Sequence, residues 1–221
     1  MTKSIILLSG GLDSLVSLGL KKDELNIDLA ITFDYGQKSV AKEVLASKTI
    51  CDYYKISHKI IKLDWLKEIT QTSLVSDEKI PTQNDLTMDE KSAKSVWVPN
   101  RNGLFLNIAA SYADSFGYDY IIMGANKEEG ATFPDNTSEF VQRVEAEFEY
   151  STLKRPKILR PLINMDKIEI VHEALKLNAP LDLIHSCYLG SEKHCGKCES
   201  CMHLLKALQK NNAKDFIKKL F

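Results

Sequence analysis

Ser9-Gly10-Gly11-Leu12-Asp13-Ser14 decides the fold. It stands between the apolar run Ser4–Leu8 and a helical pattern over Leu12–Leu20. A glycine pair at a strand-to-helix junction lets backbone N–H groups close around an anion. The helix that follows turns its positive end toward the same point. Ser9 and Ser14 add hydroxyl donors. The spacing is neither the G-x-x-x-x-G-K-[ST] of a Walker loop nor the G-x-G-x-x-G of a dinucleotide fold. Gly-Gly and Asp are also ordinary residues of a plain turn. The buried strand before them and the helix after them favour phosphate.

Outward from this loop, strand and helix signals alternate. Leu29–Phe33 and His58–Leu63 are strand candidates, with a helical stretch over Val40–Tyr54 between them. This βαβαβ order predicts a parallel sheet with right-handed crossovers. Further on, helices are expected at Asn102–Phe116 and Ser138–Tyr150, and strands at Asp119–Gly124 and Ile158–Leu159. Asp166 reads as the cap of a helix carrying Ile170, Val171, Ala174 and Leu175. Ser200–Leu208 and Ala213–Phe221 read as terminal helices. The expected fold is a doubly wound, mainly parallel, Rossmann-like α/β domain over residues 1–180, followed by a small helical four-cysteine appendage over 181–221. Val75–Ser95 is polar and without apolar period, and a loop of that length predicts a lid or a surface insertion.

Composition limits the function classes. The 221 residues carry 29 Lys plus Arg against 30 Asp plus Glu, a net charge of −1, which argues against a stable nucleic-acid partner. No segment approaches the roughly 18 apolar residues of a membrane helix. Ile5–Leu8 is too short for a signal-peptide core. The expected setting is cytoplasmic.

Four of the five cysteines crowd into Cys187-x7-Cys195-x2-Cys198-x2-Cys201. Four thiolates can close a tetrahedral site with no open position for water, as suits one structural Zn²⁺ per chain. The same x2 spacing also occurs in iron–sulfur ligation. His185, His194 and His203 flank the cluster and read as bystanders. Cys51 reads as a buried small hydrophobe.

Other candidates follow strands or open helices. Asp34-Tyr35-Gly36-Gln37 lies after the second strand, on the ligand edge of an open sheet, as a nucleotide contact or a turn. Val98-Pro99-Asn100-Arg101-Asn102 opens a helix, where Arg101 adds charge suited to a carboxylate or phosphate. Trp97 suits stacking on a base or a core position. Asp135, in Phe133-Pro134-Asp135, suits a guanine-like donor edge or the cap of the Ser138 helix. Lys167 falls in a first helical turn, where a cation is unfavourable without a phosphate partner or exposure to solvent.

Ser9–Ser14 resembles the pyrophosphate loop of the N-type ATP pyrophosphatases, the adenine nucleotide alpha hydrolase-like enzymes. Together with Asp34–Gln37, Val98-Pro99-x-Arg101-Asn102, Phe133-Pro134-Asp135, Pro161-Leu162…Lys167 and Ser186-Cys187-Tyr188, it resembles the 7-cyano-7-deazaguanine synthases over nearly the whole chain. The chain departs from that family's usual residues at Lys38-Ser39, Asn136-Thr137 and His185. The resemblance implies an ATP-dependent ligase of queuosine synthesis. Its substrates would be 7-carboxy-7-deazaguanine, ammonia and ATP with Mg²⁺, and it would be a homodimer. It implies that Ser9, Gly10, Gly11, Leu12, Asp13 and Ser14 hold ATP, that Asp34, Tyr35, Gln37 and Asp135 bind nucleotide or substrate, and that Arg101 and Lys167 stabilise developing charge. The rivals are a tRNA-thiolating pyrophosphatase with an iron–sulfur cluster, an enzyme joining a deazaguanine to another amine, and a zinc-ribbon nucleic-acid-binding module resting on the basic tail around Lys206–Lys219.

Overall fold

A computed structural model describes residues 2–82 and 95–221. Most of the expected 75–95 lid therefore lies outside the described residues. Its near flank is packed, with Val75 and Ile80 buried.

Five strands, β1 (Lys3–Leu7), β2 (Asn26–Asp34), β3 (Ser57–Lys62), β4 (Tyr120–Ile122) and β5 (Lys157–Leu159), form a parallel sheet in the order β3-β2-β1-β4-β5. The helices are α1 (Leu12–Lys21), α2 (Val40–Tyr54), α3 (Asp64–Ile69), α4 (Arg101–Phe116), α5 (Lys127–Thr132), α6 (Ser138–Ser151), α7 (Lys167–Lys176), α8 (Glu199–Lys210) and α9 (Lys214–Leu220).

Period-2 alternation splits each strand between two apolar layers. Ile6, Ala30 and Ile122 face the layer of α1, α2, α7, α8 and α9. Ile5, Ile31 and Ile121 face the layer of α3, α4 and α6. Both faces of the sheet are thus covered, which is why β1 and β4 read as unbroken apolar runs. The last helices share the first layer: Leu204, Ala207, Leu208 and Leu220 pack in one cluster with Leu15, Val16 and Val171.

The strand order reverses about β1, so the crevice for a ligand opens beyond the carboxyl ends of β1 and β4. The loops after these strands do meet there. A Cβ on Gly124 would stand 3.1 Å from Ser14 N.

The structure extends the expected second strand back to Asn26 and shortens the fourth to Tyr120–Ile122. Asp28 stays in β2 because its carboxylate accepts from Tyr118 Oη at 2.9 Å. α3 and α5 have six residues each, too few for a 3.6-residue period to register in sequence. Asn126 starts α5 by accepting from Glu129 N at 3.0 Å.

Candidate active site

The phosphate loop carries α1 on Gly11, whose own residue supplies no side-chain cap. Gly10 adopts φ +77°, and a Cβ there would lie 2.7 Å from Glu43 O. Both facts demand glycine. Gly10→Ala is expected to cost about 2–4 kcal/mol of stability, read as a lower urea midpoint at unchanged slope. Ser9 Oγ and Ser14 Oγ meet at 3.2 Å, and Gly11 N donates to Ser9 Oγ at 3.3 Å. The loop is also held from the far end of the chain. His185 N donates to Gly10 O at 2.8 Å, and Leu12 N donates to Ser186 Oγ at 3.3 Å.

Asp13 and Lys167 are 154 positions apart and form an ion pair at the crevice, while Glu129 Oε1 lies 3.2 Å from the same ammonium. Asn126 Nδ2 donates to Asp13 Oδ2 at 3.3 Å. Burial would lower the Lys167 pKa, but Asp13 and Glu129 more than reverse this, so the lysine stays charged. Burial pushes the Asp13 carboxyl up against the pull of that lysine. Asp13 Oδ1 is buried with no hydrogen-bond partner among the described residues.

Across the crevice, Arg101 Nη1 donates to Tyr35 Oη at 3.1 Å, with the guanidinium 5.9 Å from the Tyr35 ring centroid. Tyr35 is held by its own turn: Tyr35 N donates to Gln37 Oε1 at 3.0 Å. Gln37 Nε2 donates to Phe33 O and, at 2.8 Å, to Glu43 Oε2. The Glu43 carboxylate also accepts from Ser39 Oγ, and burial pushes its pKa up. Asp34 closes the turn by accepting from Gly36 N at 3.1 Å and does not line the cavity.

Trp97 stacks on Phe133 with ring centroids 5.8 Å apart and planes 19° apart. Asp135 lies beside them on a short 3₁₀ turn, accepting from Asn136 Nδ2 at 3.0 Å. Burial pushes its carboxyl up, and Arg101 opposes the shift. The cap of α6 is Thr137, which accepts from Phe140 N at 3.2 Å, so Asp135 is free of that duty.

These groups line one cavity of about 320 Å³. It brings together Ser9, Gly11, Leu12, Asp13, Ser14, Tyr35, Gln37, Arg101, Asp135 and Lys167. Gly10 and Asp34 stand behind its wall. Glu43, Ser186 and Tyr188 also line it, and none was singled out in the sequence as a site residue. A signal for Glu43 existed: it shares the inward face of α2 with Ser47 and Ile50, an odd place for a carboxylate.

The four sulfurs of Cys187, Cys195, Cys198 and Cys201 all lie within 4.8 Å of one another. Cys195 Sγ and Cys201 Sγ are 3.8 Å apart. A tetrahedral site with ~2.3 Å metal–sulfur bonds has edges of about that length. The four sulfurs are grouped closely enough to hold a metal ion. Its histidine neighbours work elsewhere: His194 Nε2 accepts from Ser186 N at 3.0 Å, and His203 Nδ1 lies 2.9 Å from Glu128 Oε2. Ile80 packs on the cluster, and Thr82 bridges to Cys198.

Residues 3–212 match the profile of the queuosine biosynthesis protein QueC. The chain belongs to the QueC family. A relative from Methanosarcina mazei, named 7-cyano-7-deazaguanine synthase, is 49% identical over 96% of both chains. Another of that name, from Carboxydothermus hydrogenoformans, is 50% identical over 94% of this chain and 98% of its own. Among solved structures, a 4-thiouridine synthetase in complex with RNA and bound ATP matches with TM-score 0.51 at 20% identity. It covers all of this chain and 53% of the other. That likeness bears on the fold alone. Among the described residues of this QueC family member, no helix is long and apolar enough to cross a membrane.

Proposed function

We propose that this chain is a 7-cyano-7-deazaguanine synthase. It would convert 7-carboxy-7-deazaguanine and ammonia to the nitrile base at the expense of ATP, in queuosine synthesis. The observation that carries the reading is one cavity joining the Ser9–Ser14 loop to Arg101, Asp135 and the Trp97–Phe133 stack, in a member of the QueC family. One end suits a polyphosphate and the other a planar, carboxylated base.

A carboxylate resists nucleophiles because of its charge. Its oxygen therefore attacks the α-phosphorus of ATP, and pyrophosphate leaves. Ammonia then attacks the acyl carbon and AMP departs, giving the amide. The amide oxygen repeats the displacement on a second ATP. Loss of AMP and of both N–H protons leaves the nitrile. Ser9, Gly10, Gly11, Leu12, Asp13 and Ser14 are assigned to the phosphates, and Mg²⁺ travels with ATP as a charge neutraliser. Asp34 shapes the turn that carries Tyr35 and Gln37 against the substrate. Arg101 and Lys167 oppose the negative charge that develops, so catalysis is positioning and electrostatics rather than covalent attack by the protein. Asp135 is placed to accept from the donor edge of the base.

The four cysteines are assigned to one structural Zn²⁺, since the full sulfur set leaves no site for a reacting water. Residues 1–180 form the ATP-binding unit on this reading, and 181–221 its cysteine-bearing cap. The same reading carries a cytoplasmic homodimer.

The test is turnover. Protein with ATP, Mg²⁺, ammonium and 7-carboxy-7-deazaguanine should yield first the amide, then the nitrile, with AMP released, followed by mass spectrometry. ATP consumed with the base unchanged would overturn the reading. Ammonium should support the reaction and glutamine should not, because no residue is assigned to releasing nitrogen from glutamine. Arg101→Ala is expected to lower kcat/KM for the carboxylated base about 10- to 100-fold, the scale of one charged hydrogen bond. Steady-state kinetics equal to the parent would remove Arg101 from the site.

A further inference from the structure

We propose that Ser186 is a phosphate-binding residue of the ATP site, delivered by the cysteine cluster. This rests on the reading of the cavity as an ATP site. Ser186 lies far from the phosphate loop in sequence, yet its Oγ accepts from Leu12 N at 3.3 Å, in the first turn of α1. A Cβ on Gly11 would stand 3.4 Å from that same oxygen. The hydroxyl thus stands beside Gly11 at the start of α1, next to the Ser9–Ser14 loop. Its acceptor side is used by Leu12, so its own proton is available to donate to a polyphosphate. Ser186 thus adds a third hydroxyl to those of Ser9 and Ser14, which meet each other at 3.2 Å.

The position of Ser186 is fixed from two sides. His194 Nε2 accepts from Ser186 N at 3.0 Å, and His194 Nδ1 lies 3.2 Å from Leu220 O. Cys187, the next residue, is buried in the sulfur cluster. The preceding His185 N is tied to Gly10 O at 2.8 Å. A metal held by the four sulfurs therefore fixes Ser186 against the loop without touching the reacting atoms.

The experiment is calorimetric titration of the full-length, metal-bearing protein with MgATP, inorganic pyrophosphate and AMP, alongside a metal count per chain. Ser186→Ala should weaken MgATP and pyrophosphate about tenfold, the effect of one hydrogen bond to a charged group, and leave AMP within twofold. Ser186→Thr, which keeps the hydroxyl, should recover most of that loss. Metal content should be equal in all three proteins. ATP and pyrophosphate affinities of S186A within twofold of the parent would overturn the proposal. So would S186T as weak as S186A, or a loss in S186A that tracks loss of metal. Parent protein that binds neither ATP nor pyrophosphate would instead overturn the ATP-site reading beneath it.

Discussion

Lys167→Met is expected to lower turnover about 1000-fold and to destabilise the fold by about 2–4 kcal/mol. The ammonium is largely buried, with its side chain 14% exposed, between Asp13 and Glu129. Methionine keeps most of the packing and removes only the charge. Two carboxylates then face each other without the cation they share, which is the costly half of breaking a buried pair. The catalytic loss has a different source. A fixed cation aimed at developing phosphate charge is worth two to three orders of magnitude, because it needs no reorganisation during reaction. The two effects separate experimentally. Urea denaturation reads the first, and initial rates in saturating ATP read the second. A variant as stable as the parent, or one turning over within tenfold of it, would refute the corresponding half.

Cys201→Ser is expected to have the larger effect on stability. Loss of one of four sulfurs opens the metal site, and metal binding to a folded site is folding free energy. A loss of about 4 kcal/mol or more should lower Tm by roughly 10 °C in a chain of this size. The damage should extend beyond the cluster, because Cys201 is fully buried on α8 one turn before Leu204 of the main core layer. Treating the parent with a thiol-competing chelator should reproduce the shift. A parent that holds no metal and melts as before under the chelator would leave the sulfur set a packing cluster only.

Some of this molecule was open to reading before its structure was known. The Ser9–Ser14 loop and the four cysteines are local in sequence, so spacing alone singles them out, and the structure brings the four sulfurs within 4.8 Å of one another. The helices at Val40–Tyr54 and Arg101–Phe116 are long enough for their buried faces to show as a period. The partner of Lys167 was not legible in this way. Its awkward place in a first helical turn signalled a compensating negative charge, and phosphate was the expected one. The structure supplies Asp13 and Glu129, brought together from the first turns of the helices after β1 and β4 by the sheet order. Nor did sequence separate the two duties open to Asp135; that required seeing Thr137 cap α6. Ser186 belongs to the motif Ser186-Cys187-Tyr188, but nothing local ties it to the phosphate loop. Its importance comes from a contact across 174 positions.

The central strand precedes its sheet neighbours in the chain, yet the loop after it is closed by residues far downstream. β1 acquires β4 as its second neighbour only after residue 122 has emerged. The bonds that join His185 and Ser186 to Gly10 and Leu12 wait for residues beyond 180, as does the sealing of Leu15 and Val16 by Leu204 and Leu208. Fragments that stop before residue 185 therefore lack the bonds that close the Ser9–Ser14 loop. Chain order thereby couples the closing of this loop to the arrival of the cysteine segment.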